Sequence, residues 1–385
     1  MLEMSYQATI RAGVPAISKA VYHRIRFVAH DPAVCIDLVG PPVRSILIIR
    51  DVEMERARKT ARADRFFVPA DFVPADGLSG DREIATAQAA IECLRRHGIR
   101  RVVADRSLPL LYVSLAREVG IEIDLDPDLG VFERRRKTEQ EVSHLRTCQR
   151  DTESAIEDAC RLVAKSTARG DGVLMHDGSP LTSERLRVQI DLHLLRLGYV
   201  NDHAIVASGP IGSDCHHPGE GVIRTSEPVI IDVFPQSKRT LYHGDCTRMV
   251  VHGEVPDIVR KMHAMVKESK IAAERATRAG ATGDAVHQAT VAVLKSHGVH
   301  IGFPPDAASD DLLFLPHGTG HGIGLDLKEP PLLDFRGVEL LAGDCVTIEP
   351  GIYCKSIGGL RLEDMYILRD DGAENLNQLH DGLSW

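Results

Sequence analysis

His317 and His321 stand four apart in the stretch HGTGHGIGLDLKEPP, among glycines at positions 318, 320, 322 and 324. Four acids in the same part of the chain occupy places that simple solvation does not explain. Asp232 ends the apolar run VIID, and Asp245 lies in YHGDCTRMVV, leading into a β-branched run. Glu349 sits in VTIEPG and Glu363 in LRLED, again on apolar strand-like segments. A charge in the middle of a buried strand needs a partner. An antiparallel hairpin turning near Ser237–Thr240 would set Asp232 opposite Asp245, and like charges directly opposite destabilise a sheet. A bound cation removes that penalty; the plainer alternative is a strand-end aspartate and a turn aspartate, each in water. Pro350-Gly351 and Gly358-Gly359 suggest a second hairpin carrying Glu349 and Glu363. Arg361, two residues before Glu363, shares its strand face. An Arg–Glu surface ladder accounts for Arg361 and Glu363 but leaves Glu349 unexplained.

With His321 the set becomes two Asp, two Glu and one neutral imidazole. Its four negative charges are balanced by two divalent cations. Oxygen-rich ligation with one imidazole suits Mn²⁺, Co²⁺, Zn²⁺ or Fe²⁺. Two such ions about 3.5–4 Å apart lower the pKa of a shared water and present hydroxide to a carbonyl carbon. The second ion polarises the carbonyl oxygen as charge develops on it. Other readings of the histidine stretch fail. HGTGH lacks the glutamate of an HExxH zinc helix, and its glycines would disrupt a helix. GTGHGIG does not fit GxGxxG. The glycine spacing suits an extended segment that other backbone approaches closely. A lone histidine on such a strand is more often structural; the company of four awkward carboxylates reverses that.

The elements that must position these residues fall into two parts. In the first third, SILIIRD (45–51), RRVVADR (100–106) and GIEIDLDPD (120–128) are of strand length. REIATAQAAIECLRRHG (82–98) has helical spacing and a terminal glycine. This predicts an α/β domain over residues 1–132. The charged run Arg134–Lys137 reads as a solvated linker entering a helix that starts near Thr138, with an apolar stripe at 142, 145, 156, 159, 162 and 163. Helices are expected over 183–198, 256–279 and 284–297, and strands at EPVIIDVFP, DCVTIEPGIY and GLRLEDMYIL. Residues 133–385 therefore read as an α+β domain.

Composition sets limits. A chain of 385 residues favours two domains. The net charge of −9 argues against nucleic acid as a partner. No stretch reaches the 18 or more apolar residues of a membrane span. The start, MLEMSYQATIRAGVPAISKA, carries Glu3 early and does not read as a secretory signal. The eight scattered cysteines form no CxxC pair and read as reduced thiols of a cytoplasmic protein, with Cys246 singled out because it adjoins Asp245.

IDVFP…GDCTR, HGTGHGIGLDLKEPP, TIEPGIY and RLED occur in the order found in the pita-bread metallohydrolases, and roughly residues 135–380 resemble that family. The family includes methionine aminopeptidase, aminopeptidase P, prolidase and the metal-free creatinase. The first third is similar to the amino-terminal domain of the proline-directed branch. The resemblance implies a pita-bread catalytic domain and a metallo-exopeptidase acting on a short peptide at Xaa-Pro bonds. It implies two divalent ions per chain, Mn²⁺ first, and a homodimer. It assigns Asp232, Asp245, His321, Glu349 and Glu363 as metal ligands, with Asp245 and Glu363 bridging and Glu349 also shuttling the proton. IVASGPIGSDCHHPGEG brings in His216 as a substrate-facing histidine. His317 matches a residue near the substrate, and Arg361 the arginine beside the last metal glutamate.

The chain departs from the family pattern in three places. The Asp232–Asp245 spacing is 13, Ile211 replaces an asparagine, and Lys328 replaces a histidine that helps stabilise the tetrahedral intermediate. Lys328 can donate to an oxyanion, pair with a substrate carboxylate, or point to solvent. Two other functions compete: a metal-dependent hydrolase or lyase of a small non-peptide amide or zwitterion, and a non-catalytic binding module. Intact ligand types argue against the module.

Overall fold

A computed structural model describes residues 6–40 and 44–385. Glu3 and its neighbours at the start lie outside the described residues. The chain divides into two compact units, Met1–Arg134 and Arg135–Trp385.

The first unit is a six-stranded sheet in the order Arg65–Phe67, Arg44–Ile48, Ala33–Leu38, Ala8–Gly13, Arg101–Ala104, Glu122–Leu125. The pairings at the Ala33–Leu38 strand are antiparallel and the outer ones parallel. Helix Arg82–Arg96 starts where Asp81 accepts from the Ile84 N–H at 3.0 Å and stops before Gly98, whose φ of 68° admits a helix end. Its Ala87, Ala90 and Leu94 bury against Ile10, Ile36 and Ile46 of the sheet. The expected α/β unit is thus present.

In the second unit Thr138 and Glu141 form a reciprocal capping box that opens helix Glu139–Lys165, and the stripe Val142, Leu145, Ile156, Ala159 and Val163 is buried. The charged run before it is not the solvated linker expected. Arg135 pairs with Asp344 at 2.7 Å and Lys137 with Glu329 at 2.6 Å, all four buried. Arg135 ends the short helix Val131–Arg135 and Lys137 follows a bend at Arg136; Arg136 stays exposed, while the two buried charges meet carboxylates.

Three sheets of this unit build the site. Pro228–Val233 lies between Ala204–Ser208 and Cys246–Val251, antiparallel to both. Asp232 is opposite Thr247, not Asp245 as the hairpin reading expected. The turn closes one residue later than expected, with Leu241 at φ 63° donating its N–H to Ser237. A two-residue offset keeps side chains on the same face, so Asp245 still faces Asp232, but diagonally.

The segments DCVTIEPGIY and GLRLEDMYIL each split in two. Cys345–Ile348 pairs with Asp364–Arg369 in one sheet, and Gly351–Cys354 with Gly358–Arg361 in another. The break falls at Pro350, which has no N–H to give a ladder. The two registers, Ile348↔Asp364 and Gly351↔Arg361, are in step across the break. Glu349 and Glu363 therefore face one another at the junction of the two sheets.

Candidate metal centre

His321 lies on the short strand Gly320–Gly322, which pairs with Glu329–Leu333 and touches Cys345–Ile348. The flanking glycines are required by close approach. A Cβ on Gly320 would stand 2.0 Å from the Thr347 carbonyl oxygen, and one on Gly322 2.4 Å from that of Glu329. Thr347 also accepts the His321 N–H at 3.2 Å, and the Thr319 carbonyl accepts the Glu349 N–H at 2.7 Å. The histidine strand and the Glu349 strand are therefore held as one piece.

Ligand-type atoms of Asp245, His321 and Glu363 lie within 4.8 Å of one another, and all three residues are buried. His321 Nδ1 must donate to the Gly322 carbonyl (3.1 Å), which leaves the Nε2 lone pair facing the acids. Nε2 stands 3.6 Å from Asp245 Oδ2 and 3.5 Å from Glu349 Oε1. These gaps are too long for hydrogen bonds. They suit two donors that each reach about 2.1 Å to one shared ion.

The electrostatics agree. Burial, together with neighbouring carboxylates, pushes Asp245 and Glu363 well above the usual carboxylate range, and burial raises Asp232 despite Arg361. Burial lowers His321 and favours its neutral ligand form. Asp232 Oδ1 is buried with no hydrogen-bond partner. An oxygen-rich set with one imidazole, an orphaned carboxylate oxygen and uncompensated negative charge fits divalent cations.

Arg361 is buried at the hub of this site, which rules out the surface ladder. Its Nη2 donates to Asp232 Oδ2 (2.6 Å), its Nη1 to Tyr353 Oη (2.6 Å), and its Nε to Thr247 Oγ1 (3.3 Å). Thr247 in turn donates to Glu363 Oε2 at 2.8 Å. Tyr353 donates to His317 Nε2 at 2.8 Å, while His317 Nδ1 donates to the Gly318 carbonyl at 2.7 Å. Burial lowers the His317 pKa to about 4. His317 is neutral, with both ring nitrogens committed.

A cavity of about 430 Å³ opens on the five ligand-type residues. His216, His317, Lys328 and Arg361 line it as well, so every site residue expected from the sequence meets in one place. His217, the neighbour of His216, is outside the lining and accepts the Gly219 N–H. The His216 and Lys328 side chains have no hydrogen-bond partner among the described residues, and both residues are exposed.

Four residues that hold the site went unassigned in the sequence. Gln149, fully buried on helix Glu139–Lys165, accepts the Asp245 N–H (2.9 Å) and donates to the Asp245 carbonyl (2.7 Å). Arg248 donates to the Glu363 carbonyl (2.6 Å) and pairs with Asp364 (2.6 Å). Thr247 and Tyr353 complete the relays around Arg361. Thr247, Arg248 and Tyr353 sit inside GDCTR and TIEPGIY, so motif membership was their signal; Gln149 had none. Cys246 is buried and points its thiol at the Glu363 carbonyl (3.7 Å), and all eight cysteines are free.

Outside the cavity, Ser154, His193 and Asp158 form a hydrogen-bonded string with 2.9 Å spacings. It is no nucleophile. The single Ser154 hydroxyl proton goes to the Asp151 carbonyl (2.7 Å), leaving the histidine none to take.

Fold and site together define a mixed α/β protein with a candidate carboxylate–imidazole metal centre. Residues 144–370 match the model of metallopeptidase family M24. The chain belongs to metallopeptidase family M24. The probable dipeptidase PepE of Mycobacterium tuberculosis is 34% identical over 175 residues, spanning 45% of this chain and 43% of that protein. The match thus spans less than half the length of that relative. Among solved structures, the Xaa-Pro dipeptidase from Bacillus anthracis superposes with a TM-score of 0.78 at 22% identity, covering 98% of this chain and 95% of its own. The X-Pro aminopeptidase from Thermotoga maritima gives 0.78 at 19%, covering 98% and 97%. These likenesses bear out the pita-bread fold. Among the described residues no helix is long and apolar enough to cross a membrane.

Proposed function

We propose that the chain is a metal-dependent exopeptidase that hydrolyses Xaa-Pro peptide bonds, as a dipeptidase or an aminopeptidase. The observation that carries this reading is the meeting of Asp232, Asp245, His321, Glu349 and Glu363 in one cavity of a family M24 chain. The names of the similar proteins support the Xaa-Pro preference.

Two divalent ions held by these five residues, Mn²⁺ first among Mn²⁺, Co²⁺, Zn²⁺ and Fe²⁺, supply Lewis acidity and lower the pKa of a water. Glu349 is the group that moves the proton. Its side chain is 20% exposed, against 5% for Asp245, 7% for His321 and 10% for Asp232, so it is the more open to the cavity. Its carboxylate takes the proton of the attacking water and delivers it to the leaving proline nitrogen. Asp245 and Glu363 are fixed from behind by Gln149 and Thr247 and act as stationary ligands. His216 offers the unengaged imidazole that contacts the substrate. His317 meets it with its ring, because its nitrogens are held by Gly318 and Tyr353.

The test is one assay panel after chelation and reconstitution with Mn²⁺, Co²⁺ or Zn²⁺. It compares Xaa-Pro dipeptides, Xaa-Pro-Xaa tripeptides, methionyl peptides and creatine. Chelator-sensitive cleavage confined to the Xaa-Pro peptides is expected. Cleavage of no peptide would overturn the reading and favour a small non-peptide substrate.

A further inference from the structure

Lys328 is the unclaimed charge of the cavity. It lines the wall, is exposed, and makes no hydrogen bond or ion pair among the described residues. Arg361, the other cation of the lining, is committed to Asp232 and Tyr353. The chain neighbour Glu329 is turned inward onto Lys137 at 2.6 Å. Lys328 nevertheless lines the same cavity as Asp245, His321 and Glu349, so its ammonium shares that space with the candidate metal cluster.

The charge balance of the lining says what such an ammonium faces. The four ligand carboxylates and Asp334 stand against Lys328 and Arg361. Two dications convert that deficit into an excess of one positive charge. A substrate bringing a carboxylate close to the scissile bond satisfies it. In a dipeptide the carboxylate carbon is within about 4 Å of the scissile carbonyl carbon, because only the proline nitrogen and Cα stand between them. In a longer peptide that place is taken by a neutral amide.

We propose that Lys328 is the anchor for the free carboxylate of a dipeptide substrate and selects dipeptides over longer or amidated peptides. This rests on the peptidase reading above and deepens it. No covalent step is involved; the ammonium donates a charge-assisted hydrogen bond to a carboxylate oxygen.

The experiment compares metal-reconstituted wild type, Lys328→Met and Lys328→Arg on an Xaa-Pro dipeptide and on its C-terminal amide. Metal content of each is measured alongside, and proline and prolinamide binding is followed by calorimetry. Wild type is expected to favour the dipeptide and to bind proline over prolinamide. In Lys328→Met the dipeptide-to-amide ratio of kcat/KM falls about 10- to 100-fold at unchanged metal content, and Lys328→Arg keeps most of it. An equal loss on both substrates would make Lys328 a donor to the oxyanion and overturn the inference, as would no loss on either. Either result leaves the peptidase reading standing. Cleavage of neither substrate by wild type would remove both.

Discussion

Gln149 closes two hydrogen bonds on the backbone of Asp245, accepting its N–H at 2.9 Å and donating to its carbonyl at 2.7 Å. A side-chain amide thereby takes the place of a strand neighbour just before Cys246–Val251 begins. Asp245 is held from a helix 96 residues earlier in the chain, and its carboxylate is aimed by that clamp.

Replacing Gln149 with Ala leaves the buried Asp245 N–H unpaired, at a cost of about 1–3 kcal/mol. Supports of metal ligands typically matter about 10- to 100-fold in metal affinity. Titration of the apoprotein with Mn²⁺ should show a loss of that size with the circular dichroism spectrum retained. Wild-type affinity in Gln149→Ala would mean that the clamp does not position the ligand.

The Arg361–Asp232 pair is buried, at 3% and 10% side-chain exposure. Removing one partner of a buried pair costs about 3–5 kcal/mol, because the other charge is stranded. Arg361→Met should lose about that much stability by urea unfolding in the metal-free protein. The loss should shrink when metal is bound, since Asp232 then has another partner. Arg361→Lys should recover only part, as one ammonium cannot serve Asp232, Tyr353 and Thr247 together. Equal losses with and without metal would contradict the assignment of Asp232 as a ligand.

His317 makes a pH prediction. Its folded pKa is about 4, lowered by burial from an ordinary value of 6.5. Between those values the unfolded chain binds the proton and the folded chain does not, so stability rises with pH through this window. The contribution is complete above about pH 6.5 and is lost as pH falls toward 4. In the presence of chelator, His317→Asn should flatten the dependence of unfolding free energy on pH by about one proton. An unaltered slope would show that His317 is protonated in the folded state.

Much of this site was legible in the sequence because charges in apolar strands are conspicuous. Asp232, Asp245, Glu349 and Glu363 stood out for that reason, and the glycines around His321 announced a close backbone approach. Register was legible only modulo two. Alternation fixes which face a residue occupies but not its partner, so Asp232 was matched to Asp245 when Thr247 stands opposite. Arg135 and Lys137 were misread because a basic run looks solvated until Asp344 and Glu329 arrive from about 200 residues away. Gln149 left no trace, since a polar residue on a helix gives no sign of what another segment will lay against it. Tyr353 looked like one more apolar strand residue, and only the fold brings its hydroxyl between Arg361 and His317.

The proposed role of Asp232, Asp245, His321, Glu349 and Glu363 as one set of ligands for two divalent ions is read out by bound-metal stoichiometry. Chelated protein reconstituted with Mn²⁺ and analysed by mass spectrometry for bound metal should hold about two ions per chain. Asp245→Ala should hold far less while remaining folded. A wild-type protein that binds no Mn²⁺, Co²⁺ or Zn²⁺ after reconstitution, or an Asp245→Ala variant that binds as much as wild type, would show that these residues do not hold the ions.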